Sequence, residues 1–271
     1  MALGALLCVH AHPDDEALFT GGVLAHYART GRRTVLVTCT LGQLGFDPLG
    51  REGADPEHDD ESTAALRASE LRRAAASLGV GRAVTLGYRD SGMSGWPTAD
   101  HPDAFVNARV EEAARGLAAL IDETRSSVVV TYDEHGFYGH PDHVMAHRVA
   151  RRAVELSEGA QRLFYPVVPR RILDDFVARA RRDGIYLPPW ILEAVADTHD
   201  HDVAVTIDAR DVASAKHRAI AAHASQLDTV DLVAMDEEAF SLLFGVEYYQ
   251  LGWSRTGASL ACGDDLFEGL P

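Results

Sequence analysis

Lysine is almost absent from this chain. Lys216 stands alone among 25 basic residues, a bias that points to a GC-rich genome rather than to a function. The basic residues are outnumbered by 41 acidic ones, and the formal net charge of −16 excludes a basic nucleic-acid surface and suits neutral or cationic small partners. Cysteine is scarce as well. Cys8, Cys39 and Cys262 are scattered, with neither CxxC spacing nor a disulfide framework, as in proteins of a reducing compartment. No run approaches the ~20 apolar residues that a membrane-crossing helix needs, and the short apolar N-terminal stretch lacks the basic flank of a secretion signal. No G-x-G-x-x-G follows the first predicted strand, so the dinucleotide-binding fingerprint is missing. No internal repeat or low-complexity tract is present. What these absences leave is a soluble, cytoplasmic protein with no nucleic acid and no membrane among its expected partners, and with homo-oligomerisation left open.

At 271 residues, 46% hydrophobic and 24% charged, the chain can bury a sizeable core and is expected to form one domain over 1–271. Short apolar runs read as strands at Leu3–Val9, Thr34–Thr40, Ala83–Gly87, Ser127–Tyr132, Leu163–Val168 and Val203–Ile207. Helical patterns separate the first five. Glu16–Thr30 stops before Gly31, Glu61–Leu78 stops before Gly79, and a fourth helix is expected from Val144 to Leu156. Between them Val106, Val110, Ala113, Leu117 and Leu120 step by four and three, the spacing of one helix face. Alternating strand and helix predicts an α/β, doubly wound, Rossmann-like fold with a mostly parallel sheet of order 3-2-1-4-5 and helices on both faces. Two polar, Gly-containing stretches, Leu41–Glu61 and Arg89–Asp103, follow strands on the face where such folds bind ligands, and read as walls of a pocket. Residues 170–200 read as an insertion or lid.

Against this background two clusters stand out. His12-Pro-Asp-Asp-Glu16 follows the first strand, and His140-Pro-Asp-His143 follows the fourth; both precede helical patterns. Pro13 biases His12 away from helical geometry, and the acidic residues then fall where a helix N-terminus favours negative charge. An acidic cap with an incidental histidine would explain one such cluster. Strands 1 and 4 are neighbours at the switch point of the predicted sheet, so topology brings both clusters together, and imidazoles with carboxylates are the material of a metal site.

Ala11-His-Pro-Asp-Asp-Glu16 and Gly139-His-Pro-Asp-His143 resemble the motifs of the LmbE-like (PIG-L) zinc de-N-acetylases. Val37-Thr-Cys-Thr-Leu-Gly42, Tyr88-Arg-Asp-Ser-Gly-Met93, Tyr132-Asp133 and His223-Ala-Ser-Gln226 are similar to the branch that handles mycothiol and its precursor. The resemblance implies a metal-dependent hydrolase that removes an N-acyl group from an aminosugar-containing small molecule, or an amidase acting on a thiol conjugate. It implies Zn²⁺, with Fe²⁺ as an alternative, on His12, Asp15 and His143, where hydroxide formed near neutral pH attacks the amide. It makes Asp14 the general base, His140 the oxyanion-stabilising group oriented by Asp142, and Tyr138 a mobile phenol near the carbonyl. It places Arg67, Glu70 and Asp90 toward the sugar. Gln43 stands where that branch carries an acidic residue and Phe137 where it carries a second glycine; both departures fall at the pocket and put the substrate in question.

His10 and His147 read as packing residues and His135 as a solvated one. A 2-His-1-carboxylate Fe(II) oxygenase would use the same donors, but such triads are commonly carried on all-β barrels, which the Ala-rich helices oppose. A non-catalytic metal-dependent binding protein should have lost Asp14 or His140, and both are present.

Overall fold

All six residues of Ala5–His10 (β1) are buried, so this strand belongs to the centre of a sheet covered on both faces. The computed structural model describes residues 4–183, 202–226, 229–257, 260 and 263–270; Cys262 and Leu187-Pro-Pro-Trp190 lie outside them. β1 pairs in parallel with Thr34–Thr40 (β2) on one side and Ser126–Val130 (β4) on the other. Arg82–Tyr88 (β3) and Arg162–Val167 (β5) continue the parallel set. The expected order 3-2-1-4-5 is present within a seven-stranded sheet ordered β3-β2-β1-β4-β5-β7-β6. Val205–Asp208 (β6) is one edge. Between it and β5 lies Val246–Ser254 (β7), antiparallel to both and not anticipated from the sequence.

Side-chain alternation along β1 divides the core. Leu6 and Cys8 face a cluster with Ala17, Val23 and Leu24 of Asp15–Arg29 (α1) and Leu71 and Ala74 of Asp60–Ser77 (α2). Leu7 and Val9 face the opposite cluster, with Leu117 and Ile121 of Val110–Thr124 (α3). The helix after β4 lies on that second side, with the short turn Gly136–Gly139 (α4) leading into Pro141–Leu156 (α5). The connections leaving β1 and β4 therefore diverge to opposite faces, which opens a crevice at the carboxyl ends of these strands. Val106 is not on α3: it sits in the 3₁₀ turn Phe105–Asn107, where Phe105 takes the buried place and Val106 is exposed. The charged start of the 170–200 segment is a helix, Arg170–Asp183 (α6).

The lone lysine has a structural place. From Ala213–Ala222 (α7) the Lys216 Nζ donates to Glu247 Oε1 at 2.8 Å. The same carboxylate accepts Gly22 N–H at 2.7 Å, Val23 N–H at 2.8 Å and the Tyr249 hydroxyl at 2.6 Å. One buried acid thus ties α1 and α7 to β7. Removing one partner of a buried pair leaves an uncompensated charge, so Lys216→Met is expected to destabilise the protein by about 3–5 kcal/mol in urea unfolding. A loss below about 1 kcal/mol, the value of an exposed pair, would show that the three other donors suffice.

Candidate metal centre and active site

Each motif turns its chain in a way ordinary backbone does not. Asp14, the residue before α1, has φ 99° and ψ −36°. For a residue other than glycine such a conformation costs about 1–3 kcal/mol and persists only where neighbours over-determine it. Glu16 Oε2 reaches back to accept the Asp14 N–H at 3.0 Å. After β4, Phe137 takes φ 66° and ψ −70°, and its N–H donates to Asp133 Oδ1 at 3.0 Å. Pro141 then opens α5, and the His140 Nδ1 accepts the Asp142 N–H at 3.1 Å as the helix cap.

Asp15 is the hub. Its Oδ2 accepts the His12 N–H at 2.8 Å and the Tyr132 hydroxyl at 2.6 Å, and that phenol oxygen accepts the Ala11 N–H at 2.9 Å. His12 Nδ1 lies 3.5 Å from Asp15 Oδ2, and His143 Nε2 lies 3.4 Å from Asp15 Oδ1. Hydrogen bonds fix which nitrogens are free. His143 Nδ1 must donate to the Gly136 carbonyl at 3.2 Å, which leaves Nε2 buried with no hydrogen-bond partner. His12 Nε2 lies 3.2 Å from Asp142 Oδ2, an acceptor only, which leaves Nδ1 turned to Asp15. Tyr132 also stacks on His143, with ring centroids 4.1 Å apart and 11° between planes. Two imidazoles flank one carboxylate, His12 beside Asp15 Oδ2 and His143 beside Asp15 Oδ1, each backed by an outer partner of the kind that orients metal ligands.

The surroundings favour a cation. Burial opposes charge on His12, yet Asp90, Asp142 and Asp15 outweigh it and hold its imidazole well above the ordinary histidine range. The donor sets whose atoms all lie within 4.8 Å of one another, among the described residues, are His12, His140 and His143, and His12, Asp90 and Asp142; His12 and His143 instead flank Asp15 on its two different oxygens. Asp90 and Asp142 are otherwise engaged. Asp90 accepts Gly92 N–H at 2.9 Å and Leu44 N–H at 3.3 Å, and Asp142 accepts the Ser91 N–H at 3.0 Å and its hydroxyl. Asp142 therefore directs its carboxylate at His12, not at His140 as expected, and only its backbone N–H meets the His140 ring. Burial and the neighbouring His12 and His143 push the His140 imidazole down to about 2. A neutral ring whose Nδ1 accepts a hydrogen bond keeps its proton on Nε2, as a donor.

Asp14 stands apart from these donors and pairs with Arg67, whose Nη2 donates to Asp14 Oδ2 at 2.9 Å and to the Pro13 carbonyl. Burial raises the Asp14 carboxyl to about 6, against the pull of Arg67 and with a further push from Asp15. Tyr138 is 43% exposed, its ring centroid 5.0 Å from that of His143. Gln43 and Arg89, from the two long connections, line one cavity of about 520 Å³ with Tyr88, His101 and Asp103. Phe137 is not among those lining residues; its ring packs against Phe19 at 4.7 Å. Glu70 is turned away as well, accepting the Ser225 N–H at 2.9 Å and its hydroxyl at 2.7 Å. His10 bonds Thr20 Oγ1 at 2.8 Å inside the core, and His147 Nδ1 meets the Tyr132 carbonyl at 2.9 Å.

Residues 7–154 match the family described as PIG-L: GlcNAc-PI de-N-acetylase. The chain belongs to the PIG-L de-N-acetylase family. It is 42% identical to the 1D-myo-inositol 2-acetamido-2-deoxy-alpha-D-glucopyranoside deacetylase of Salinispora arenicola, over 98% of this chain and 91% of that protein. Among solved structures it resembles N,N'-diacetylchitobiose deacetylase from Pyrococcus horikoshii, with a TM-score of 0.58 and 20% identity over 91% of this chain and 83% of that one. A 4-carboxy-2-hydroxymuconate hydratase from Pseudomonas putida matches as well, with a TM-score of 0.56 and 19% identity over 96% and 100% of the two chains. The fold thus hosts more than one chemistry, and membership rests on the family match and the near relatives. This PIG-L member is a metal-dependent hydrolase that removes an N-acyl group from an aminosugar-containing small molecule. Among the described residues, no helix is long and apolar enough to cross a membrane.

Ser91, Glu16 and the outer role of Tyr132 were not legible in the sequence. Ser91 and Tyr132 lie within motifs that resemble the family, but nothing in a lone loop serine or strand-end tyrosine says which carboxylate it will hold.

Proposed function

We propose that this PIG-L family member deacetylates an N-acetylglucosamine joined to inositol, with a divalent ion held by His12, Asp15 and His143, zinc before Fe²⁺. The observation that carries the ligand assignment is the buried, unpartnered His143 Nε2 beside an Asp15 carboxylate that also faces His12 Nδ1. The substrate rests on the relative at 42% identity, whose name states that substrate.

A bound divalent ion supplies Lewis acidity, acidifying a water and polarising the scissile carbonyl. The rest falls to the chain. Asp14, paired with Arg67 beside the ligands, accepts the proton of the attacking water and returns it to the departing amine. A carboxyl raised to about 6 is suited to both transfers. His140 offers its Nε2–H to the oxygen on which charge develops, and Tyr138 approaches from the rim. His140→Ala is expected to lower kcat by ~10²–10³-fold, the range for removing one oxyanion donor, with metal content unchanged. Unaltered kcat would remove His140 from that role.

The reading is tested by amine release from N-acetylglucosaminyl inositol, diacetylchitobiose and a thiol conjugate of the deacetylated sugar, each with defined Zn²⁺ or Fe²⁺. Preference for the first substrate is expected. Faster turnover of the thiol conjugate would overturn the substrate assignment and leave the hydrolase class intact.

A further inference from the structure

The motif His223-Ala-Ser-Gln226 follows α7, far from either cluster in sequence, and the reaction described above makes no use of it. His223 is fully buried, its Nε2 2.7 Å from Glu16 Oε1. Glu16 is fully buried too, and its other oxygen accepts the Asp14 N–H at 3.0 Å. Ser225 in the same motif anchors Glu70, one turn beyond Arg67 on α2, and Arg67 grips Asp14 Oδ2 at 2.9 Å. Through Glu16 the segment therefore reaches the Asp14 backbone amide.

We propose that His223 is a positioning residue for Asp14, acting through Glu16 to hold the strained Asp14 backbone in the conformation that faces its carboxylate to the site. The inference rests on Asp14 being the base. Its physical basis is the satisfaction of Glu16. With His223 donating to Oε1, Glu16 has a fixed orientation and its Oε2 stays on the Asp14 amide. Without that donor, Oε1 is buried and unpaired, so Glu16 must turn to find another. The amide of Asp14 then loses its acceptor, and its backbone, at φ 99°, relaxes toward ordinary geometry. A displacement of the base by about 1 Å is enough to cost ~10²-fold in rate.

The test uses the full-length, zinc-loaded protein with N-acetylglucosaminyl inositol. His223→Leu should lower kcat by ~10²-fold with KM and metal content little changed. His223→Gln, whose amide can still donate to Glu16, should recover most of the rate. On an Asp14→Asn background His223→Leu should add almost nothing, because both changes act on one group. A loss that multiplies in full on that background, a loss of metal, or a normal kcat in His223→Leu would overturn the proposal. If His223→Leu does not fold, Glu16→Ala takes its place: the same fall in kcat and the same non-additivity with Asp14→Asn are expected, and their absence counts against it. Near-normal turnover by Asp14→Asn alone would refute the base assignment, and this proposal with it. A slow Asp14→Asn beside a normal His223→Leu would refute only the proposal.

Discussion

Asp14→Asn is expected to slow amide hydrolysis by ~10²–10⁴-fold, the range for losing a general acid-base group, while metal content stays at the wild-type level. The adjacent aspartates are chemically identical, and only their surroundings separate them. Asp15 is held by Tyr132 and the His12 amide between two imidazoles. Burial resists its charge, yet His143 and His12 hold its carboxyl well below the usual range, as suits a permanently ionised ligand. Asp14 is raised to about 6 and faces Arg67, as suits a group that exchanges protons. Asp15→Asn should therefore lose metal and activity together. The pH profile carries the same distinction. A general base works only when deprotonated, so with Asp14 in the proposed role the wild-type rate should fall about tenfold per pH unit below the Asp14 pKa. A cation held by the proposed ligands would pull that pKa down, which places the acidic limb at or below about 6. Asp14→Asn should lack this limb. A metal-free Asp14→Asn protein, or one with near-normal turnover, would show that the roles are reversed or wrong.

The parallel half of the sheet could be read from the chain because each strand is a short buried run followed by a stop signal and a helix. β7 could not. Its place between β5 and β6 is set by antiparallel pairing with strands about 40 and 80 positions away, and its second residue is the charged Glu247. Only the four donors that surround this carboxylate in the folded chain make it a core residue. The same division holds at the site. The meeting of the two clusters was legible, because motifs at the ends of adjacent parallel strands must come together. Their wiring was not: Asp142 meets His12 rather than the His140 ring, Glu70 turns to Ser225, and Phe137 turns into the core. In each case the orientation depends on a partner that is distant in sequence, and spacing within a motif carries no information about it.

His143→Ala should abolish metal binding and activity outright, and the metal-free protein should melt at a lower temperature. His143 is fully buried, and its Nε2 has no hydrogen-bond partner while its other nitrogen is committed to the Gly136 carbonyl. Desolvating such an atom is unfavourable unless a partner arrives, and beside an ionised Asp15 that partner is a cation. An ion present at a hundredfold excess over its Kd stabilises the folded state by about 2.7 kcal/mol. At about 2–4 °C per kcal/mol for a chain approaching this size, chelation should lower the wild-type Tm by roughly 5–10 °C. The Tm of His143→Ala should no longer respond to chelator. Two companion variants decide between the donor sets that share the crevice. If His140 completed the site with His12 and His143, His140→Ala would release metal; if Asp90 and Asp142 completed it with His12, Asp90→Asn would weaken binding and His143→Ala would not. The hydrogen bonds already made by Asp90 and by the His140 Nδ1 favour neither. Full metal occupancy in His143→Ala would move the ion to the His12, Asp90 and Asp142 side of the crevice.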